Sequence, residues 1–266
     1  MKKSINIQSK RFVTLITVVM IFTVSFSQVK PYRPGEKASY AVRYGFVNGG
    51  IASFELKSDT FKGQDVLHSY FIAYTTGVAD VLYSMRDIYE SYMDTVTDMP
   101  LYAIRNVKEG HYKRYNPVTF DRTTRKDSAI LTSNLTGKHV TTKEIHDILS
   151  CFYSFRKNWL AKDYNFKKGD VVTINTWFCD EFYPIKLAYK GKESVRTKAG
   201  KIKAIKFNPV TEVGRVFKTN EDVSIWFSDD KNYLPVKVRF DIFVGAFSVE
   251  LLTYEGLVAP LAIEEE

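Results

Sequence analysis

The sequence predicts a mainly β protein: a single domain built on a curved antiparallel sheet or partly open β-barrel, with one amphipathic helix packed on it. Three observations carry this. Most of the chain alternates polar and apolar residues with period two. Turn residues recur at Lys62-Gly63, Asn116-Pro117, Lys168-Gly169, Gly191, Gly200 and Ser228-Asp229-Asp230. One stretch has apolar residues at helical spacings of three and four. Parallel α/β folds need a helix between successive strands, and helical periodicity is otherwise nearly absent.

The chain opens with Lys2, Lys3, Lys10 and Arg11 ahead of an apolar run from Phe12 to Phe26, which exits through Ser25-Phe26-Ser27. A basic start, a short apolar core and a small-x-small exit predict a secretory signal peptide over residues 1–27. The run falls short of the ~20 residues that span a bilayer. The mature protein is expected to begin near Gln28. No cysteine stands at the exit to take a lipid, so release as a soluble exported protein, most simply periplasmic, is expected.

Removing residues 1–27 takes away four basic and no acidic residues, so the net charge falls from +8 to +4. That is weak for a nucleic-acid binder. Aromatics make up 15% of the chain, with 17 tyrosines and 19 phenylalanines. Such side chains suit a pleated, half-buried surface.

The β-rich domain is expected over residues 28–260. Ala38, Tyr40, Val42, Tyr44 and Phe46 share one face of the first strand. Asn48-Gly49-Gly50 reads as the hairpin turn, and Ile51–Leu56 as the returning strand. A short helical turn is expected around Gly77–Met85. The main helix is expected from Thr141 to Leu160, with Ile145, Ile148, Leu149, Phe152, Phe155, Trp159 and Leu160 on one stripe. Thr141 and Glu144 read as its capping box. Laid on the sheet, this helix would act as a lid over the concave face. Ile185, Leu187 and Tyr189 alternate as a strand, as do Val236, Val238, Phe240 and Ile242, then Phe247, Val249 and Leu251. Lys198–Lys206 reads as a turn at Gly200 followed by a strand. Residues 261–266 read as a solvated acidic tail.

Chemistry is sparse. The four histidines are His68, His111, His139 and His146, and they do not pair at metal-ligand spacing. No metal site and no cofactor is expected. His146, Asp147 and Ser150 offer a base, an acid and a nucleophile, the basis of an alternative reading as a hydrolase. They sit on one short helical stretch, whereas such groups usually converge from separate elements. A solvated helix face is the simpler reading. Asp180-Glu181 and Asp229-Asp230 read as solvated turn acids. Cys151 and Cys179 are either a disulfide, which an exported protein permits, or free thiols.

The reading that fits best is a non-catalytic exported protein that binds an apolar ligand, such as a lipid, in the concave sheet. The lid would contribute Ile145, Leu149, Phe152 and Trp159, and the sheet Tyr40 and Tyr44. A further alternative is a structural module that binds another envelope protein. No nucleic-acid partner and no transmembrane span after signal cleavage are expected.

A set of short motifs in a fixed order resembles the exported bacterial family known as domain of unknown function 3108. It comprises Pro34-Gly35-Glu36, Tyr44-Gly45, Gly49-Gly50, Asp147-Ile148-Leu149-Ser150 with Phe152-Tyr153 and Arg156, Thr197-Lys198-Ala199-Gly200 with Pro209, Ile225-Trp226-Phe227 with Asp229, and Pro235-Val236. The resemblance covers about residues 32–256. It implies an exported, β-rich single domain and no particular activity. Its architecture is similar to half-open β-barrels that shuttle lipids or lipoproteins across the periplasm.

Overall fold

The computed structural model describes residues 30–162, 165–210, 222–241 and 245–265. The signal segment 1–27 and Ile242 lie outside the described residues. Eight strands come first: β1 (Lys37–Tyr44), β2 (Val47–Phe61), β3 (Gln64–Thr75), β4 (Arg86–Asp94), β5 (Pro100–Glu109), β6 (Tyr112–Asp121), β7 (Ser128–Ser133) and β8 (Gly137–Thr142). The short helix α1 (Gly77–Leu82) interrupts them, close to where the sequence places it. Helix α2 (Ile148–Phe155) and a π-helical turn (Arg156–Leu160) follow. Then come β9 (Val171–Ile174), β10 (Trp177–Phe178), β11 (Glu181–Phe182), β12 (Ile185–Thr197), β13 (Gly200–Pro209), β14 (Val223–Ser228), β15 (Pro235–Asp241) and β16 (Ala246–Glu255).

Fourteen of these strands form one antiparallel sheet in the order β8-β7-β6-β5-β4-β3-β2-β1-β16-β15-β14-β13-β12-β9. The last strand returns to pair with the first, so the two halves of the chain meet at β1 and β16 in mid-sheet. The sheet is curved and not closed into a barrel. Strands β10 and β11 form a separate hairpin.

Two local signals in the sequence are overruled. The first turn is Gly45-Phe46, not Asn48-Gly49-Gly50: Tyr44 pairs with Val47. Gly45 takes φ +55°, which only glycine adopts cheaply. The later glycines accommodate a register shift inside β2, where a Cβ on Gly50 would stand 2.3 Å from the Tyr74 carbonyl oxygen. Phe46, expected on the buried face, is therefore at the turn and 97% exposed.

The main helix is shorter than its apolar stripe. Thr141 and Thr142 pair with Ala129 and Ser128 as part of β8. The helix begins seven residues after Thr141, and Asp147, not Thr141, caps it. The Asp147 carboxylate accepts from the amides of Leu149 and Ser150, and the Ser150 hydroxyl accepts from the Asp147 amide. Ladder bonds available to Thr141 outcompete a local capping box.

The helix packs between the two halves of the sheet. Cys151, Phe155 and Leu160 join Leu187, Phe207 and Phe227 of the C-terminal half. Tyr153 joins Tyr32, Leu56, Leu67 and Met93 of the N-terminal half. Burying one such side chain contributes about 1.5–3 kcal/mol, so α2 ties both halves together. Residues 261–264 are partly docked on the domain. Leu261 is buried, the Ala262 amide donates to Asp230, and Glu264 pairs with Lys201.

Candidate functional site

The concave face of the sheet and α2 enclose a cleft of about 550 Å³. Tyr40, Val42, Ala52, Phe54, Phe71 and Ala73 form its floor on β1–β3. Val238, Phe240 and Val249 continue the floor onto β15 and β16, and Ile148, Leu149 and Phe152 of α2 form its roof. Phe178 closes one end from the β10–β11 hairpin. Among the described residues, none that lines the cleft is charged. The Tyr40 hydroxyl is spent on the Pro235 carbonyl oxygen at 2.9 Å. Val42, Phe54, Phe71, Ala73 and Val249 are only partly buried, so they retain apolar surface that an occupant would cover.

The six residues expected to meet a ligand separate into two groups. Leu149, Phe152 and Tyr40 line the cleft. Ile145 precedes the helix and packs among Val118, Phe120, Leu131 and Trp177, away from it. Trp159 lies in the π-helical turn and packs against the C-terminal cluster. Tyr44 sits near the sheet rim, its ring 4.9 Å from Phe247. At that same rim the strands give way to Phe46, Val47, Val78, Val81 and Leu82, all exposed.

His146, Asp147 and Ser150 are not on a solvated face. All three are buried beneath the sheet. Their bonding capacity is taken up by the helix start. Besides capping, Asp147 accepts from the Ser91 hydroxyl at 2.6 Å. Ser150 Oγ stands 3.2 Å from His146 Nδ1 and donates to the Asp147 carbonyl oxygen. Burial, with help from the Arg122 guanidinium, pushes the His146 imidazole down to about 4, so it is neutral near pH 7. Burial pushes the Asp147 carboxyl up, against four hydrogen bonds that favour its charged form. Geometry makes this a cap that fastens α2 to β4, not a nucleophile held toward a substrate. Asp147→Ala removes the cap and strands the Ser91 hydroxyl. It is expected to cost about 2–4 kcal/mol in chemical denaturation, and Ser91→Ala/Asp147→Ala is expected to recover part of that loss because no hydroxyl is left stranded.

The cysteines are free: Cys151 is buried in α2 and Cys179 is exposed in the β10–β11 turn. The turn acids are engaged as well. The Asp180 side chain is 4% exposed and accepts from Asn116 Nδ2 at 2.8 Å. Asp229 accepts from Lys192, and Asp230 accepts from Ser228, Asn232 and Ala262. Among the described residues no group of three His, Cys, Asp or Glu side chains could hold a metal, and no helix is long and apolar enough to cross a membrane.

A second, small pocket of about 40 Å³ adjoins the cleft and shares Tyr89, Ile148 and Phe178 with it. Arg105, Asn116, Trp177 and Asp180 line it. Arg105 escaped the sequence reading. Its signal was a charged residue in phase with the inward-facing Ala103 and Val107 of β5.

A search of curated proteins gives no match. Among solved structures, the chain is similar to a β-barrel-like protein of domain of unknown function DUF1849 from Brucella abortus, with a TM-score of 0.54 and 8% identity, over 84% of this chain and 98% of that one. At that identity the likeness concerns the fold. The sequence matches the family described as protein of unknown function (DUF3108) over residues 39–252, most of the domain whose cleft is described above. The chain belongs to the DUF3108 family.

Proposed function

We propose that this protein is an exported, non-catalytic carrier that holds the hydrocarbon chain of a lipid in the cleft beneath α2. The observation that carries this is the cleft itself: about 550 Å³ of space with no charged group among the described residues of its walls. Protein interiors leave few voids larger than a water molecule, and ligand pockets run from ~300 to ~1,000 Å³. Each methylene buried there contributes about 0.8 kcal/mol, so a chain of ten would gain about 8 kcal/mol before the costs of association. The basic, apolar and small-residue order of residues 1–27 supports export, and a periplasmic carrier is the reading that goes with it.

Native mass spectrometry and N-terminal sequencing of protein gently purified from cells test both parts. A start near Gln28 and an added mass that releases a lipid are expected. Bare protein in the first readout overturns the carrier; an intact residue 1–27 segment overturns export. A second reading, an envelope module that docks on another protein, draws on the exposed Phe46, Val78, Val81 and Leu82 at the rim. It predicts a co-purified protein in place of the lipid.

A further inference from the structure

The inward face of the sheet changes chemistry along one row. Phe54, Phe71, Tyr89, Arg105 and Asn116 stand opposite one another across β2 to β6. The row therefore runs from two phenyl rings in the cleft, through a tyrosine, to a guanidinium and an amide. Arg105 Nε donates to the Tyr89 hydroxyl oxygen at 3.4 Å. Its guanidinium carbon lies 5.9 Å from the Phe178 ring centroid. Tyr89 and Phe178 both line the cleft, so this cation stands immediately behind its end wall.

Arg105 is half-buried, and an arginine stays charged there. Among the described residues no carboxylate comes within ion-pair distance of it, though its charge acts on the nearby Asp87. The acids nearby are committed elsewhere. Asp87 accepts from the Lys108 amide. Glu90 accepts from His68 and Tyr92. Asp180 accepts from Asn116, with Arg114 at 3.6 Å from its second oxygen. The same small pocket holds Trp177, 8% exposed, whose indole N–H has no hydrogen-bond partner. Arg105 and the unspent Trp177 donor thus line a small, mostly apolar space that shares a wall with the cleft, with the Asp180 carboxylate at its edge. Charge-assisted hydrogen bonds to an oxyanion are the strong kind, and a partly desolvated guanidinium gains most from them.

We infer that the cleft selects an anionic single-chain amphiphile, its hydrocarbon along Phe54 and Phe71 and its oxyanion on Arg105, with the Trp177 N–H as second donor. The inference rests on the apolar-cleft reading and names its ligand class. A carboxylate and a phosphate monoester share the required chemistry.

Hexadecanoic acid, hexadecyl phosphate, hexadecanol and acetate, titrated into the full mature chain by calorimetry at fixed ionic strength, test it. Wild type is expected to bind the acid and the phosphate roughly 10- to 100-fold tighter than the alcohol, and to ignore acetate. The stronger of the two anions names the headgroup. Arg105→Met is expected to erase that preference while leaving hexadecanol affinity within about threefold of wild type. Arg105→Lys, which keeps the charge but not the planar fork, is expected to keep part of the preference. Trp177→Phe is expected to reduce it by a few-fold. Equal affinity for acid and alcohol in wild type, or a preference that survives Arg105→Met, overturns this inference and leaves the cleft reading standing. Binding of acetate as tight as hexadecanoate overturns the link between the two spaces. No binding of any long-chain probe overturns the cleft reading itself, and this inference with it. A circular-dichroism melt of each variant identifies any that fails to fold, in which case Arg105→Gln replaces Arg105→Met.

Discussion

Placing tryptophan at Ala73 is expected to abolish retention of a sixteen-carbon chain while leaving the protein folded. Ala73 lies on the cleft floor, opposite Ala52 across β2 and beside Phe71 and Phe54. Its side chain is only partly buried, so an indole built there grows into the cleft rather than into the packed core. If it displaces about five methylenes, the loss is about 4 kcal/mol at 0.8 kcal/mol each, close to a thousandfold in affinity. The folded state meets no such penalty, because overpacking costs 1–3 kcal/mol only where neighbours already fill the space. Val249→Trp intrudes from the neighbouring strand β16, beside Val42, and is expected to act in the same way. Titration of hexadecanoic acid against both variants, with melting temperatures measured alongside, checks this. Wild-type affinity in both well-folded variants would remove the cleft as the binding site.

What the sequence made legible follows from how local each signal is. Strand alternation is a property of neighbouring residues, so the inward set Ala38, Tyr40 and Val42 could be read directly, and the β-rich fold with it. The Gly45-Phe46 turn and the Gly49-Gly50 bulge could not, because both spacings fit a hairpin and only pairing with β3 decides between them. The stripe reveals the helix but not its start, since Thr141 pairs with Ala129 on β7, 12 positions away, a contact no local pattern reveals. Its polar residues read, from spacing alone, as a solvated face. On a helix sunk between two halves of a sheet there is no such face, and His146, Asp147 and Ser150 are instead satisfied by one another and by Ser91. Arg105 was overlooked for the converse reason. A lone charge inside an alternating strand is ordinary on an outward position, and only its phase with Ala103 and Val107 marks it as inward.

The other large effect lies far from the cleft and joins residues 120 apart. Arg156 and Glu36, both among the motif residues that resemble the family, form a buried bidentate pair at 2.6 and 2.7 Å. The same guanidinium donates to the carbonyl oxygens of Pro31 and Asn232, and its carbon lies 5.2 Å from the Tyr32 ring centroid. One side chain thereby fastens the start of the domain, the end of α2 and the β14–β15 turn. The π-helical widening after Phe155 turns Arg156 and its neighbour Lys157 both inward, and Lys157 pairs with the buried Asp98 at 2.5 Å. Whether such a pair gains over an apolar replacement is a separate matter; breaking it is not, because the surviving charge stays buried. Glu36→Gln leaves the guanidinium facing a neutral amide and is expected to cost about 3–5 kcal/mol, or roughly 6–20 °C in melting temperature for a domain of this size. Arg156→Met is expected to cost at least as much, since the Pro31 and Asn232 carbonyls lose their donor too. The double variant Glu36→Gln/Arg156→Met is expected to cost well under the sum of the two, because neither charge is left alone. Denaturant titrations of the three variants measure that coupling directly. Additive losses would mean that the two residues stabilise the fold independently, and the pair would then not be the clasp that holds α2 in place over the cleft.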